Sequence, residues 1–233
     1  MTPAADKNQS TLTLTYKVSD SLRREIIGGD RVAGERLNEV AIANALNVSR
    51  GPVREAILRL ANEGLVVVSP HRGAFVKTLD PQGVMDLFEL RIALESEAAA
   101  LAAQRITGVD LARLRSTQQQ SSQLVDAHDD GFSNEVDLHD FIGRISMNTA
   151  LSESVKNVNT ELRLVRLRSG SNSSRAAEAV REHDEIIKQI SVRDAKGARE
   201  AMRHHLRRSL ENTLELMFSD QEDETKDERH ESL

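Results

Sequence analysis

Arg50 and Arg54 are the residues whose type and spacing first suggest a chemical role. They lie four positions apart, so on a helix both side chains project from one face. An arginine can donate two parallel hydrogen bonds to guanine O6 and N7 in the major groove of DNA. Ser49 and the backbone N–H groups that begin such a helix suit a phosphate, and Gly51 lets the backbone approach DNA closely. Two arginines on one helix face usually belong to a solvated surface, so by themselves they make this segment only a candidate recognition helix.

Three predicted helices provide the framework for this pattern. Apolar residues at every fourth position predict a first helix over residues 16–27, and the glycines that follow end it. Asn38 is a good N-cap for a second, short helix, and Ser49 is a good N-cap for the third. The inward face of the third helix is predicted to consist of Val53, Ala56, Ile57 and Leu60.

A β-hairpin is predicted directly after the third helix. Two short apolar runs, residues 65–68 and 74–76, flank a turn that contains Pro70 and Gly73. Three helices and a hairpin within about 60 residues form the layout of a winged helix-turn-helix. Arg72 and Gly73 at the tip of the hairpin suit a wing that enters the minor groove of DNA.

Charge is distributed unevenly along the chain. The 233 residues have a formal net charge of −6. Residues 1–77 carry 11 Lys and Arg against 8 Asp and Glu, whereas the remainder carries 20 against 29. A mildly basic N-terminal part joined to an acidic C-terminal part indicates two separate tasks.

The composition excludes several classes of protein. The chain has no Cys, which excludes a disulfide scaffold and any thiolate metal site. Apolar runs such as residues 98–103 are far shorter than the roughly 20 residues of a membrane-spanning helix. Residues 1–14 show no signal-peptide pattern, and we therefore expect a cytoplasmic protein.

The Asp80-Pro81 pair predicts a boundary between two domains, because Asp is a good cap and Pro suits the first helical position. We assign residues 16–79 to the winged helix-turn-helix and residues 80–219 to an all-helical bundle, so the predicted fold class is mainly α. Residues 1–15 are interpreted as a flexible arm, and residues 220–233 as a disordered acidic tail. The predicted helices of the bundle cover residues 82–105, 110–128, 134–147, 151–169, 174–192 and 195–218.

Four separated blocks in the first domain carry a family resemblance. They are Gly34-Glu35-Arg36-Leu37-Asn38-Glu39, Val48-Ser49-Arg50-Gly51-Pro52-Val53-Arg54-Glu55-Ala56, Glu63-Gly64-Leu65 and Arg72-Gly73-Ala74-Phe75-Val76. In this order and spacing they resemble the winged-helix signature of GntR-family transcriptional regulators. The resemblance covers residues 16–77 and implies that Arg36 contacts DNA together with Arg50 and Arg54.

Further blocks lie in the second domain. They are Leu87-Phe88-Glu89-Leu90-Arg91, Glu182-His183-Asp184-Glu185-Ile186-Ile187 and Met202-Arg203-His204-His205-Leu206. They resemble motifs of the FCD domain, the helical domain that binds effectors in the FadR-like branch of the GntR family. A middle motif of that domain places an acid four residues before a His and an Asn nine residues after it, and Glu135, His139 and Asn148 match this spacing.

The FCD resemblance implies a metal site. Metal-binding members hold a divalent cation through an acid and three histidines, which correspond here to Glu135, His139, His183 and His205. Imidazole and carboxylate ligands suit Zn²⁺, Ni²⁺, Mn²⁺ or Fe²⁺. Glu135 departs from the usual Asp by one methylene. In the middle motif an aromatic or apolar residue directly precedes the His, and Leu138 occupies that position here. A second register would align Phe141 with it, but it would place Leu138 at the acid position and Ile142 at the His position and so remove half of the site.

The resemblance implies a regulator that responds to a ligand. We interpret the protein as a repressor that binds a palindromic DNA operator as a homodimer and is released by a small organic acid or a related metabolite. Arg91 is a candidate for binding the effector's carboxylate, although Arg also commonly pairs with a neighbouring acid. The alternatives are a metal-free sensor of fatty-acyl-CoA and a metal-dependent hydrolase. The chain shows no separate acid–base or nucleophile constellation, so we expect no enzyme.

Overall fold

The computed structural model describes residues 4–126, 132–166 and 173–230. The chain forms two compact units, Met1–Leu79 and Asp80–Leu233. Within the described ranges it contains nine helices and three short strands, which confirms the mainly helical fold class. None of the helices in these ranges is long and apolar enough to cross a membrane.

The first unit is a winged helix-turn-helix. Its elements are α1 (Ala4–Ile27), β1 (Arg36–Leu37), α2 (Glu39–Ala45), α3 (Arg50–Asn62), β2 (Val66–Ser69) and β3 (Gly73–Val76). The predicted inward face of α3 is buried and α3 packs against α1, whose buried stripe is Val18, Leu22 and Ile26. Each such side chain contributes about 1.5–3 kcal/mol when fully buried, so apolar packing fixes the direction in which α3 presents its other face.

The predicted N-caps of this unit occupy their expected positions. Asn38 accepts hydrogen bonds from the backbone N–H groups of Val40 and Ala41 at the start of α2. Ser49 is the N-cap residue of α3, but its side chain makes no capping hydrogen bond.

The three strands form one antiparallel sheet in the order β1-β3-β2. The pairing of β2 with β3 confirms the predicted hairpin. Strand β1 was not predicted from the sequence; in it Arg36 lies opposite Phe75 and Leu37 lies opposite Ala74. A strand of two residues is too short to show the alternation that identifies strands in a sequence.

Two helices extend beyond their predicted ends. α1 begins at Ala4 rather than at residue 16, and α9 continues to His230 rather than ending at residue 218. The backbone is therefore helical in residues 4–15 and 220–230, for which the sequence suggested a flexible arm and a disordered tail. Neither segment contains Gly or Pro, and extending an existing helix costs far less than nucleating a new one.

The second unit is a helical bundle. Its helices are α4 (Pro81–Arg105), α5 (Gly108–Asp126), α6 (Phe132–Ile145), α7 (Thr149–Arg166), α8 (Ser173–Ser191) and α9 (Ala195–His230). Asp80 caps α4 by accepting a 2.8 Å hydrogen bond from the backbone N–H of Gly83, and Pro81 is the first residue of the helix.

Helix α4 contacts α6, α7, α8 and α9. Its buried face is rich in alanine, including Ala98, Ala99, Ala102 and Ala103, and these small side chains leave room for neighbouring helices. Larger aliphatic residues from α6, α8 and α9 complete the core, among them Leu138, Ile142, Ile186, Ile190, Met202 and Leu206. This packing fixes the three helices that carry the histidines described below.

Candidate functional site

The predicted DNA contacts of the first unit are all exposed. They are Arg36, Ser49, Arg50, Gly51, Arg54, Arg72 and Gly73. Arg54 projects from α3 with 61% of its side chain exposed, and its Nη2 lies 3.1 Å from a carboxylate oxygen of Glu39 at the start of α2. This contact joins α3 to the start of α2 and holds the Arg54 guanidinium at the exposed surface beside the buried stripe of α3.

Arg36 and Gly73 lie against one another in the wing. Gly73 has a φ of +106°, a conformation that favours glycine. A Cβ atom built on Gly73 would lie 3.3 Å from Nε of Arg36, which is closer than ordinary van der Waals contact. A glycine at this position therefore lets the Arg36 guanidinium lie over the wing backbone without a steric clash. The pairing of β1 with β3 thus joins a residue before α2 to the tip of the hairpin.

The second unit brings three predicted ligands together. His139 on α6, His183 on α8 and His205 on α9 have relative exposures of 1%, 2% and 0%. The Nε2 atom of His183 lies 3.2 Å from Nε2 of His139 and 3.2 Å from Nε2 of His205. Three histidines from three helices therefore offer ligand atoms that all lie within 4.8 Å of one another.

Carboxylates contact the outer nitrogens of two of these rings. Nδ1 of His139 is hydrogen-bonded to Oε2 of Glu95 on α4, and Glu95 also accepts a 2.8 Å bond from Nε of Arg91. Nδ1 of His205 lies 2.7 Å from Oε2 of Glu182 on α8. Glu182 in turn accepts bonds of 2.6 and 3.0 Å from the guanidinium of Arg175.

The electrostatics of this cluster favour a neutral His139 beside ionised carboxylates. Burial opposes ionisation of Glu95, but the charge of Arg91 and the hydrogen bonds from His139 and Arg91 outweigh it and lower the pKa of Glu95 to about 2. Burial lowers the pKa of His139 below its usual value, although Glu95 acts in the opposite direction. The pKa of Glu182 is also lowered, because hydrogen bonds from His205 and Arg175 outweigh its burial. An ionised carboxylate only accepts hydrogen bonds, so in the neutral form that binds a metal both His139 and His205 would carry their proton on Nδ1.

This donor set fits a divalent cation. When the Nδ1 protons point at carboxylates, His139 and His205 each direct an Nε2 lone pair toward Nε2 of His183. His183 has at most one proton on Nε2, so it can donate a hydrogen bond to only one of the two rings. Bonds of about 2.0–2.1 Å to a tetrahedral ion would place two ligand nitrogens about 3.3 Å apart. The observed separations of 3.2 Å are close to that value.

The other two residues predicted for the site in the helical unit, Glu135 and Arg91, are not among the three clustered histidines. Glu135 belongs to α6, one turn before His139, but its side chain lies outside the described residues. Arg91 is buried and forms an ion pair with Glu95, which is the pairing that the sequence left open. His204, next to His205, is exposed.

Sequence reasoning did not assign roles to Glu95, Glu182 or Arg175. Glu95 follows Arg91 by four residues and Glu182 immediately precedes His183, so the sequence contains a local signal for each acid. Their histidine partners, however, lie on other helices, and spacing along the chain does not reveal such pairs.

The first unit has the winged-helix architecture typical of DNA-binding proteins, with exposed arginines on its third helix and wing. The second, helical unit carries a buried group of histidines that could hold a metal ion. Comparison with known families agrees with this architecture. The bacterial regulatory proteins of the gntR family match residues 14–76, and the FCD domain matches residues 86–208. The chain therefore belongs to the GntR family, in the group that carries an effector-binding FCD domain, and it is a DNA-binding transcriptional regulator.

Individual relatives are consistent with this assignment. The chain is 36% identical over 135 residues to the Nta operon transcriptional regulator of Aminobacter aminovorans, an alignment that covers 57% of this chain and 64% of that protein. It is 28% identical over 208 residues to the HTH-type transcriptional repressor RspR of Escherichia coli, covering 88% and 91% of the two chains.

Solved structures show the same fold. Escherichia coli McbR/YncC superimposes with a TM-score of 0.74 at 23% identity over 87% of this chain and 97% of that one. A GntR regulator from Rhodococcus sp. RHA1 gives a TM-score of 0.69 at 26% identity with the same coverage.

Proposed function

We propose that the protein is a cytoplasmic repressor that binds a palindromic DNA operator as a homodimer and leaves it when a small organic acid binds the helical unit. One relative is named a repressor, which supports this direction of regulation. Others are named regulators of the nta operon and the exu regulon, which supports a role in transcription. The observation that carries the proposed sensing role is the buried convergence of three histidine nitrogens on one point.

In the first unit, Arg50 and Arg54 would read base edges in the major groove. Both are exposed near the start of α3, the end that a recognition helix presents to DNA. Since the Ser49 side chain makes no capping bond, backbone N–H groups at this helix start suit a DNA phosphate. Gly51, the second residue of α3, would let the backbone approach closely.

The wing would contact the minor groove through Arg36, Arg72 and Gly73. The guanidinium of Arg36 lies over Gly73, and Arg72 is exposed in the turn beside it. Two basic side chains at the tip of a hairpin suit the negative potential of a narrow minor groove. A two-fold symmetric dimer would repeat these contacts on both halves of the operator.

In the second unit, His139, His183 and His205 would hold a divalent cation, with Glu135 as the proposed fourth ligand. The ion would supply a Lewis-acidic position for a carboxylate oxygen of the effector. Arg91 is the proposed cationic contact for the same carboxylate; because its Nε donates to Glu95, its terminal nitrogens would have to make that contact. Effector binding changes DNA affinity only if the two DNA-binding states differ in their affinity for the effector.

Two measurements on the purified full-length protein test this proposal. Native mass spectrometry with elemental analysis should find one divalent ion per chain and could reveal a retained organic acid. Selection from a random duplex pool should then yield a palindromic sequence, and organic acids would be screened for release of that duplex. A metal-free protein that binds the selected duplex and is still released by an organic acid would overturn the metal role, and a sequence without two-fold symmetry would overturn the dimer.

A further inference from the structure

The carboxylate that contacts His205 belongs to the same helix as another histidine of the cluster. Glu182 immediately precedes His183 in the sequence, so α8 supplies one proposed ligand and also contacts another, His205, on α9. The same short segment of helix therefore determines the position of two of the three rings.

Glu182 is itself held in place. Both of its oxygens accept hydrogen bonds from Arg175, two turns earlier on α8, and Nη2 of Arg175 also lies 3.4 Å from the hydroxyl of Ser209 on α9. The guanidinium thus fixes the carboxylate at the junction of α8 and α9. A carboxylate held in this way can fix a neighbouring ring.

Contact with Glu182 has a defined consequence for His205. The carboxylate keeps the proton on Nδ1, which leaves the Nε2 lone pair available to an ion. It also restricts rotation of the ring, since a rotated imidazole would lose the 2.7 Å bond. His139 has a corresponding partner in Glu95, but Glu95 is sealed in the core with 2% exposure.

Glu182 differs from Glu95 in its access to solvent. It retains 14% exposure and lines an open groove of about 390 Å³ between α8 and α9. Arg181, Glu185 and His204 line the same groove. A substitution at Glu182 therefore perturbs the core far less than one at Glu95.

We propose that Glu182 is a positioning residue that sets the affinity of the three-histidine site for a divalent cation by fixing the tautomer and orientation of His205. This inference depends on the proposed function, because it requires that the cluster binds an ion. It assigns a role to an acidic residue that contacts a proposed metal ligand but does not itself bind the ion.

The test compares zinc affinities of full-length variants. Wild-type, Glu182→Gln and Glu185→Gln proteins are stripped with a chelator and titrated with Zn²⁺ against a competing indicator. Glu182→Gln should weaken zinc binding about 10–100-fold. Glu185→Gln is the matched control, since it removes the same charge one turn further along α8, from an exposed residue whose described partners are Lys188 and Gln189.

A second readout separates positioning from general loss of structure. Long-range ¹H–¹⁵N spectra of the metal-free proteins report the histidine tautomers, and Glu182→Gln should lower the population of the Nδ1–H form of His205 while thermal unfolding stays cooperative. If Glu182→Gln does not fold, Arg175→Gln replaces it, because this variant retains the carboxylate and removes the group that holds it. It should weaken zinc binding in the same direction.

The outcomes distinguish this inference from the function on which it depends. A wild-type protein that binds no zinc would overturn the proposed metal site and the inference together. A wild-type protein that binds zinc, with equal affinity in Glu182→Gln and Glu185→Gln, would overturn the inference alone.

Discussion

His139 and Glu95 form a buried hydrogen bond between α6 and α4, with Nδ1 of the imidazole against Oε2 of the carboxylate. The same carboxylate is the counter-ion of Arg91. One acid thus neutralises a buried guanidinium and fixes a proposed metal ligand, so its removal should affect both folding and metal binding.

Glu95→Gln should destabilise the helical unit by about 3–5 kcal/mol, because it removes the negative charge beside the buried Arg91. Urea unfolding of the full-length protein followed by far-ultraviolet circular dichroism measures the loss. Glu97→Gln is the control: Glu97 lies on the same helix and pairs with Arg199, but 49% of its side chain is exposed. Equal stability of the two variants would contradict the importance of the buried pair.

His183→Ala should lower the bound metal severely, since the Nε2 atom of His183 faces both other histidines. Elemental analysis after gel filtration measures the metal content. The fold of the DNA-binding unit should remain, which retained binding to non-specific duplex would show. His204→Ala provides the comparison, because His204 is exposed. If His204→Ala lost as much metal as His183→Ala, the proposed ligand set would be wrong.

Arg54→Ala should weaken binding to the selected operator by about 1–3 kcal/mol and relax the preference at one base pair. Fluorescence anisotropy at fixed salt concentration measures this change. Arg59→Ala serves as the control, since Arg59 is also exposed on α3 but pairs with Glu63 and lies over the ring of Tyr16. Unchanged affinity and footprint in Arg54→Ala would eliminate its base-reading role.

Gly73→Ala should destabilise the wing by about 1–2 kcal/mol, because its φ of +106° disfavours alanine. The new methyl group would also displace Arg36, so DNA affinity should fall. Gly51→Ala is the matched control for stability, as Gly51 lies in α3 with no atom within 4 Å of an added Cβ. Thermal unfolding and anisotropy measure the two effects, and full stability in Gly73→Ala would contradict the strain.

Lowering the pH should destabilise the first unit, because it protonates Glu63 in the ion pair with Arg23. The two N–O distances of this pair are both 2.8 Å. Burial raises the pKa of Glu63, but hydrogen bonding and the charge of Arg23 outweigh it and lower that pKa below the ordinary value of 4.5. The pair's contribution is therefore present above pH 4.5 and lost as the pH falls through the lowered pKa.

Because the pair is partly exposed, this contribution is about 1 kcal/mol or less. Urea unfolding of wild-type protein and Glu63→Gln between pH 3 and 7 measures it. The difference between the two should shrink towards acid, and a difference that does not depend on pH would contradict the assignment.

Local spacing along the chain predicted most of the elements of the fold, but it missed β1 and the full length of α1 and α9. Period-four apolar residues predicted α3 and its buried face, and Asp80-Pro81 predicted the start of α4. The histidines His139, His183 and His205 were named as ligands by the resemblance to the FCD domain, whose motifs are each short. Such features are local because a helix repeats its faces every three to four residues.

The tertiary structure alone decided which residues from different elements meet. The pairing of β1 with β3 places Arg36 over Gly73, and helix packing brings Glu95 to His139 and Glu182 to His205. These contacts depend on where two separately formed elements cross, which is set by the packing of the core between them. The sequence by itself therefore determined the set of groups available for DNA and metal binding, while packing determined how two of the three histidines are held.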